Sequence, residues 1–289
     1  MEKKKVAWIG TGVMGSQQAG HLAKHGYTVS AYTHRYEKLL ELQQQFGIIP
    51  CKTIAEAVQD ADYIFVMVGY PSDVKEVFCD RGGIFDSAKP GALAIDMTTS
   101  SPSLAQQLYE QGKEKGIRVM DAPCPAATAA HATPPFPSWS AATRQTLPKR
   151  CRCSSAWAKT SSSWVLPAAD STPSCQPDCR SRSNRRLHRG AGLCTEGRTG
   201  PQKMLSAIGA GAAGSWQLTN MAPRALAGDF APGFFIKHFI KDMKIVQEES
   251  RKSGVELEML DTVLALYEKM AQQGLENDGT QALIKYYQK

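Results

Sequence analysis

The sequence predicts an α/β protein with an N-terminal doubly wound parallel sheet and a C-terminal all-α domain. Strand and helix signals alternate over residues 1–123, whereas residues 201–289 carry only helical patterns. Residues 124–200 follow neither pattern, and we expect them to be irregular or disordered. The 289 residues suffice for two sizeable cores, so we predict two domains on either side of this anomalous segment.

Five short runs predict the strands of the N-terminal domain. The runs are apolar or β-branched and lie at residues 6–9, 28–32, 63–68, 92–97 and 117–120. Unbroken apolar runs are typical of strands that are buried on both faces. Helices are expected from the first turn to about His25, where Gly26 ends the helix, and over residues 102–115. The alternation predicts parallel strands with crossover helices.

The C-terminal region contains five helical patterns. They lie at residues 204–208, 221–226, 234–249, 257–273 and 282–287. Within the third, the spacing of Phe235, Phe239, Met243 and Val246 places them on one apolar stripe. Such a stripe predicts a helix that packs against a neighbouring helix.

The segment 124–200 has an unusual composition. It holds eight prolines, six of the eight cysteines and a net charge of +8, so that the total of +7 leaves −1 for the rest of the chain. Cys151-x-Cys153 and Cys175-x3-Cys179 are not paired C-x2-C units, so we predict no metal site. The arginines between 180 and 189 leave one alternative open, a basic arm that binds nucleic acid.

The rest of the chain argues against a membrane protein. No apolar run is long enough for a transmembrane helix. The short apolar run that follows Lys3, Lys4 and Lys5 ends at Gly10, which is too short for a signal peptide. We therefore expect a soluble cytoplasmic protein.

A glycine motif follows the first strand. Gly10, Gly12 and Gly15 form G-x-G-x-x-G between a strand and a helix, with Thr11, Val13 and Met14 at the variable positions. The first glycine permits a tight turn, the second lets a pyrophosphate approach the backbone, and the third packs helix against strand. The pattern predicts a dinucleotide-binding Rossmann domain, and the alternative is a tight turn that binds nothing.

The end of the second strand bears on the choice of cofactor. An acid there usually binds the ribose 2′-hydroxyl of NAD, but the chain reads Thr33-His34-Arg35, with no acid before Glu37. His34 and Arg35 are suited to a 2′-phosphate, so NADP is favoured while NAD stays possible. The alternative is that Arg35 is a solvated surface charge.

With these motifs placed, the chain resembles the β-hydroxyacid dehydrogenases, the family of 3-hydroxyisobutyrate dehydrogenase. Three N-terminal matches carry the resemblance: the loop 67–71, a D-x-[ST]-[ST] stretch at 96–99, and D-A-P at 121–123. The C-terminal matches are residues 211–216 and 235–242, the second of which contains the Lys241-Asp242 pair. The resemblance implies a Rossmann domain whose boundary lies near residue 160, followed by a helical domain like that of 6-phosphogluconate dehydrogenase.

The resemblance also implies site residues. The cofactor contacts it adds to the glycine motif and to the end of the second strand are Met67, Val68, Gly69, Tyr70, Thr98, Thr99 and Lys241. The implied substrate contacts are Ser215, Trp216 and Lys237. Each has an alternative: Thr98 and Thr99 as helix caps, Lys237 and Lys241 as a solvated helix face, and Trp216 as core.

The family's catalytic centre is missing. Members carry an S-G-G loop after D-A-P and a G-x-x-K-x-x-N motif whose lysine is the general acid/base, but here Cys124-Pro125-Ala126 follows Pro123. Neither Lys149 nor Lys159 has the flanking glycine and asparagine, so the catalytic residue is unknown. With permitted codons, reading residues 124–154 one base earlier yields an S-G-G loop followed by strand and helix patterns. We interpret 124–200 as frame-shifted.

Three functional hypotheses follow. The first is an NAD(P)-dependent oxidoreductase that acts on a small 3-hydroxy acid or its semialdehyde, and the family implies a homo-oligomer. The second is a catalytically dead NADP-binding product. The third is a basic interaction protein that uses 124–200.

Overall fold

A computed structural model describes residues 4–123, 138–141, 161–164, 201–209, 211 and 214–287. The chain divides into two compact units, Met1–Pro173 and Ser174–Lys289, and each is described by itself. The predicted domain boundaries stay a proposal, because this division falls inside the anomalous segment.

The first unit contains an eight-stranded sheet in the order β3-β2-β1-β4-β5-β6-β7-β8. Its strands are β1 (Lys5–Ile9), β2 (Thr28–Tyr32), β3 (Ile49–Pro50), β4 (Tyr63–Val66), β5 (Leu93–Asp96), β6 (Arg118–Asp121), β7 (Ser138–Ala141) and β8 (Ser161–Trp164). Strands β1 to β6 are parallel, and β7 runs antiparallel to β6. The strand order reverses between β1 and β4, which is where ligands bind in such sheets.

Helices cover both faces of this sheet, as predicted for a doubly wound fold. They are α1 (Val13–Lys24), α2 (Tyr36–Phe46), α3 (Ile54–Val58), α4 (Pro71–Cys79), α5 (Ile84–Ser87) and α6 (Pro102–Glu114). Alternate residues of β1 point to opposite faces, so Trp8 packs with α1 and α2 whereas Ile9 packs with α3 to α6. Both cores are apolar, which explains why the strands read as unbroken hydrophobic runs.

The strand ends differ slightly from the sequence prediction. Strand β4 ends at Val66, so that Met67 and Val68 begin a loop, and β6 extends to Asp121. Gly26 ends α1 with a φ of 79°, as predicted. Within the segment 124–200, strands β7 and β8 are regular; its other residues, including the cysteine pairs and the arginine cluster, lie outside the described part of the chain.

The second unit is helical. Its elements are α7 (Pro201–Ile208), a π-helical turn (Gln217–Met221), α8 (Ala222–Leu226), α9 (Ile236–Lys252), α10 (Glu258–Gln272), a 3₁₀ turn (Thr280–Leu283) and α11 (Ile284–Tyr287). The predicted stripe on α9 needs one correction. Phe235 is the N-cap with extended backbone, and Ile236 takes its place beside Phe239, Met243 and Val246 in the buried core. The helical period starts with the first residue of helical backbone, so the stripe begins one residue later, at Ile236.

No helix in the described ranges is both long and apolar enough to cross a membrane. The described residues also contain no cluster of three or more histidine, cysteine or acidic side chains that is arranged to hold a metal ion.

Candidate functional site

The glycine motif lies at the switch point of the sheet, and two of its glycines are required by packing. Gly10 has a φ of 91°, and a Cβ there would lie 2.2 Å from the carbonyl oxygen of Met67. A Cβ on Gly15 would lie 2.2 Å from the Gly10 carbonyl oxygen, which also accepts a hydrogen bond from Trp8 Nε1 at 3.0 Å. Gly10 and Gly15 therefore hold β1, α1 and the β4 loop in close contact.

Gly12 differs from both because it faces open space. A Cβ added to Gly12 would meet no heavy atom of the described chain within 4 Å, and its φ of −63° suits any residue. Gly12 is the N-cap of α1, and no side chain caps this helix terminus. The packing of the protein alone therefore does not require a glycine here, whereas a ligand lying against the backbone would.

The start of α1 is electrostatically unlike the other helix starts in this unit. Among the described helices of the first unit, it alone has neither a side-chain cap nor an acidic residue in its first turn. Asp73 accepts hydrogen bonds from Gly69 N and Tyr70 N at the start of α4, and Ser101 accepts one from Leu104 N at the start of α6. The positive end of the α1 dipole is thus left for an external anion.

Thr11 adds a second indication of a bound group. Its side chain is buried, at 1% exposure, and its hydroxyl has no hydrogen-bond partner among the described residues. Buried hydroxyl groups are nearly always hydrogen-bonded in native proteins. An open Gly12, an uncapped helix start and an orphaned hydroxyl fit the pyrophosphate of a dinucleotide.

The end of β2 presents cations. His34 and Arg35 are exposed, Thr33 is half-buried, and the His34 ring lies edge-on to Tyr32 with ring centroids 5.9 Å apart. Burial and the neighbouring Arg35 charge lower the pKa of Lys38, one turn along α2. The exposure of Arg35 agrees with a 2′-phosphate contact and equally with a solvated surface charge.

Hydrogen bonds link the loops after β4 and β5. Val68 N donates to Thr98 Oγ1 at 3.1 Å, and Thr98 N donates to Asp96 Oδ1 at 2.9 Å. Thr98 therefore does not cap α6, whose N-cap is Ser101, and the capping interpretation is wrong for this residue. Gly69 and Tyr70, predicted as cofactor contacts, direct their amides to Asp73, so any contact they make with a cofactor uses other atoms.

Two carboxyl groups end adjacent strands. Asp96 and Asp121 are register partners at the carboxyl ends of β5 and β6. Burial raises the pKa of Asp121 well above its usual range, and the nearby Asp96 carboxylate raises it further. Two adjacent carboxylates in a low-dielectric setting do not both ionise easily, so Asp121 loses its proton less readily than an exposed aspartate does.

The second unit contains the predicted substrate contacts. Ser215 precedes the π-helical turn, and its Oγ accepts a hydrogen bond from Leu218 N at 3.1 Å. Trp216 is 51% exposed, which makes the core interpretation wrong for this residue. Lys237 Nζ donates to Asn277 Oδ1 at 2.9 Å and lies 5.2 Å from the centroid of the Phe235 ring.

Lys241 and Asp242 form a nearly buried ion pair. Lys241 Nζ lies 3.0 Å from Asp242 Oδ1, and the side chains are 11% and 9% exposed. The solvated-face interpretation therefore does not hold for Lys241. Lys241 is thus paired with the carboxylate that follows it on α9.

Sequence reasoning missed the structural roles of Asp73 and Asp96. The proline at the first position of α4 and an acid two residues later were a signal for Asp73 as a cap. Asp96 was noted only as the start of the D-x-[ST]-[ST] stretch, although an aspartate two residues before a threonine is also a local signal for the turn in which it accepts from Thr98 N.

The raised pKa of Asp121 predicts a pH-dependent stability difference. The unfolded carboxyl ionises above about pH 4, whereas the folded carboxyl keeps its proton to higher pH. Ionisation therefore favours the unfolded state as pH rises through this window, by at most about 1.4 kcal/mol per pH unit. As pH rises above about 4, Asp121→Asn should gain free energy of unfolding relative to the wild type, as measured by urea denaturation at a series of pH values. A difference that stays constant with pH would contradict the raised pKa of Asp121.

Comparison with known proteins agrees with this geometry. Residues 5–135 match the NAD binding domain of 6-phosphogluconate dehydrogenase, and residues 195–287 match the family described as NAD-binding of NADP-dependent 3-hydroxyisobutyrate dehydrogenase. The uncharacterized oxidoreductase YkwC of Bacillus subtilis is 37% identical over 289 residues, covering 99% of this chain and 100% of the relative. A mitochondrial Arabidopsis thaliana protein, probable 3-hydroxyisobutyrate dehydrogenase-like 1, is 30% identical and covers 97% and 84%.

A solved structure shows the same fold. The 3-hydroxyisobutyrate dehydrogenase of Salmonella typhimurium superimposes with a TM-score of 0.88 at 17% identity, over 98% of this chain and 100% of that one. The family matches and the relatives confirm the predicted resemblance, and the solved structure confirms the Rossmann sheet and the helical C-terminal region. The chain belongs to the β-hydroxyacid dehydrogenase family of NAD(P)-dependent oxidoreductases.

Proposed function

We propose that the first unit binds NADP(H) and that the reaction of this lineage is hydride transfer between nicotinamide and a small 3-hydroxy acid or its semialdehyde. The observation that carries the proposal is the open Gly12 at the uncapped start of α1. Backbone amides there would bind the pyrophosphate, with Thr11 and residues 13–15 beside it. When bound, the nicotinamide ring supplies the hydride acceptor or donor.

NADP is favoured over NAD by the charge at the end of β2. An NAD-specific site places an acid against the ribose 2′-hydroxyl, whereas His34 and Arg35 occupy the end of this strand. The sheet order supports this orientation of the dinucleotide, because β2 lies beside β1 on the side opposite β4. Thr33, His34 and Arg35 would therefore contact the adenine ribose, and residues 67–70, Thr98 and Thr99 the nicotinamide end.

The substrate class comes from the relatives. The Arabidopsis relative and the C-terminal family match both carry the name 3-hydroxyisobutyrate dehydrogenase. We assign Ser215, Trp216 and Lys237 to substrate contact and Lys241 to cofactor contact. Of these, Trp216 has the most exposed surface to offer a ligand.

A second candidate function, cofactor binding without turnover, is favoured by the missing lysine motif. Hydride transfer to a carbonyl carbon leaves negative charge on oxygen, which a positioned acid must protonate. The sequence contains neither the S-G-G loop nor G-x-x-K-x-x-N. If 124–200 is frame-shifted, as we interpret it, this chain keeps the binding half of the reaction and lacks the group that transfers the proton.

Gly12→Ala tests the binding site directly. The new methyl group has room in the folded chain but would occupy space needed by the pyrophosphate. NADPH affinity, followed by nicotinamide fluorescence, should fall more than about tenfold, a loss above about 1.4 kcal/mol, with an unchanged melting temperature. Gly15→Ala is the contrasting variant, because its methyl group collides with Gly10 and should lower the melting temperature. Unchanged NADPH affinity in Gly12→Ala would remove the basis of the proposal.

Arg35→Ala tests the choice of cofactor. Loss of one charged hydrogen bond to the 2′-phosphate should weaken NADPH binding about tenfold and leave NADH binding unchanged. Arg81→Ala is the matched control, since Arg81 is exposed and follows α4, at the opposite edge of the sheet. Equal losses for NADPH and NADH would refute a 2′-phosphate contact.

Turnover distinguishes the two candidate functions. The purified chain, first shown to bind NADPH, is incubated with NADP⁺ and 3-hydroxyisobutyrate, and absorbance at the nicotinamide band is recorded. We expect no NADPH formation because the proton-transfer lysine is absent. Steady NADPH formation that depends on 3-hydroxyisobutyrate would show that another group performs the proton transfer.

A further inference from the structure

We propose that Asp96 is a positioning residue for the nicotinamide half of the dinucleotide, acting through Thr98 on the loop after β4. This inference rests on the proposed function, because it assigns a role within the same cofactor site. Asp96 itself need not touch the cofactor.

The geometry forms a continuous link between two loops. Asp96 Oδ1 accepts from Thr98 N at 2.9 Å, and Thr98 Oγ1 accepts from Val68 N at 3.1 Å. The main chains after β4 and β5 are also hydrogen-bonded at this point, where Met97 N donates to Val66 O at 2.8 Å. Removing the Asp96 oxygen therefore loosens the turn at Thr98 and, through it, the position of Val68.

Burial gives the link its strength. Asp96 is 4% exposed and Thr98 is 3% exposed, so water does not readily replace either partner. A hydrogen bond from an amide to a carboxylate is stronger than one between neutral groups. A buried amide that is left without an acceptor lowers the free energy of unfolding. The register partner of Asp96 on β6 is Asp121, whose pKa is raised by burial and by the Asp96 charge.

The sheet order places this link at one end of the ligand. If the adenine ribose lies over β2 and the pyrophosphate at the β1 turn, the rest of the dinucleotide extends over β4 and β5. Val68 and Thr98 follow these two strands. A change at Asp96 should therefore weaken binding of the nicotinamide half and leave binding of the adenosine half unchanged.

The test compares two probes, NADPH and adenosine 2′,5′-bisphosphate, which lacks the nicotinamide half. Asp96→Ala should weaken NADPH about tenfold, the size of one charged hydrogen bond, and leave the bisphosphate affinity unchanged. Asp96→Asn, which keeps an oxygen acceptor for Thr98 N, should restore most of the NADPH affinity. Thr98→Val keeps the side-chain shape without the acceptor for Val68 N and should repeat the selective loss.

Asp62→Ala is the control for general destabilisation. Asp62 accepts from Lys5 N and pairs with Lys89 at the opposite edge of the sheet, so its loss should lower the melting temperature without changing either affinity. Equal weakening of both probes by Asp96→Ala and Thr98→Val, or no weakening of NADPH, would overturn the positioning role. Failure of the wild type to bind either probe would instead overturn the proposed function beneath it.

Discussion

The contact between the first turn and the loop after β4 determines where α1 begins. Gly10 lies so close to the Met67 carbonyl that any side chain would separate β1 from the β4 loop, and Gly15 lies equally close to Gly10. The start of α1 is therefore held at the point where the strand order reverses. Because no side chain caps it, its amides and dipole point toward the crevice that an anionic ligand would occupy.

Side chains in the loops after β4 and β5 bind main-chain amides at this edge, whereas no side chain caps the start of α1. Asp73 binds the amides of the β4 loop, Ser101 caps α6, and Asp96 binds the amide of Thr98. These polar contacts occupy the helix starts of α4 and α6, so among the described helices of the unit the α1 start alone has neither a side-chain cap nor an acid in its first turn. Loops that are already held by hydrogen bonds, beside an uncapped helix start, reduce the ordering that a ligand would have to impose when it binds.

Much of this arrangement is predictable from local sequence. Short runs of apolar or β-branched residues predicted β1, β2, β4 and β5 to within two residues, and Gly26 marked the end of α1 correctly. Prediction was weaker where tertiary contacts determine the role of a residue or the start of a helix. Thr98 was assigned to the cofactor, with helix capping as the alternative, and only the neighbouring strand shows that it binds Val68 N. Phe235 fits the helical period of α9 but lies outside the helix. The loop that follows α10 supplies the carbonyl acceptors for Ile236 N and Lys237 N at the start of α9.

The central claim is that backbone amides at the start of α1 bind the diphosphate of NADP(H). The most direct measurement is an amide NMR titration of the chain with NADPH. Resonances of Gly12, Val13 and Met14 are predicted to shift together and saturate with the same dissociation constant as the nicotinamide fluorescence. Saturable shifts confined to other parts of the chain, with these three amides unmoved, would contradict the account.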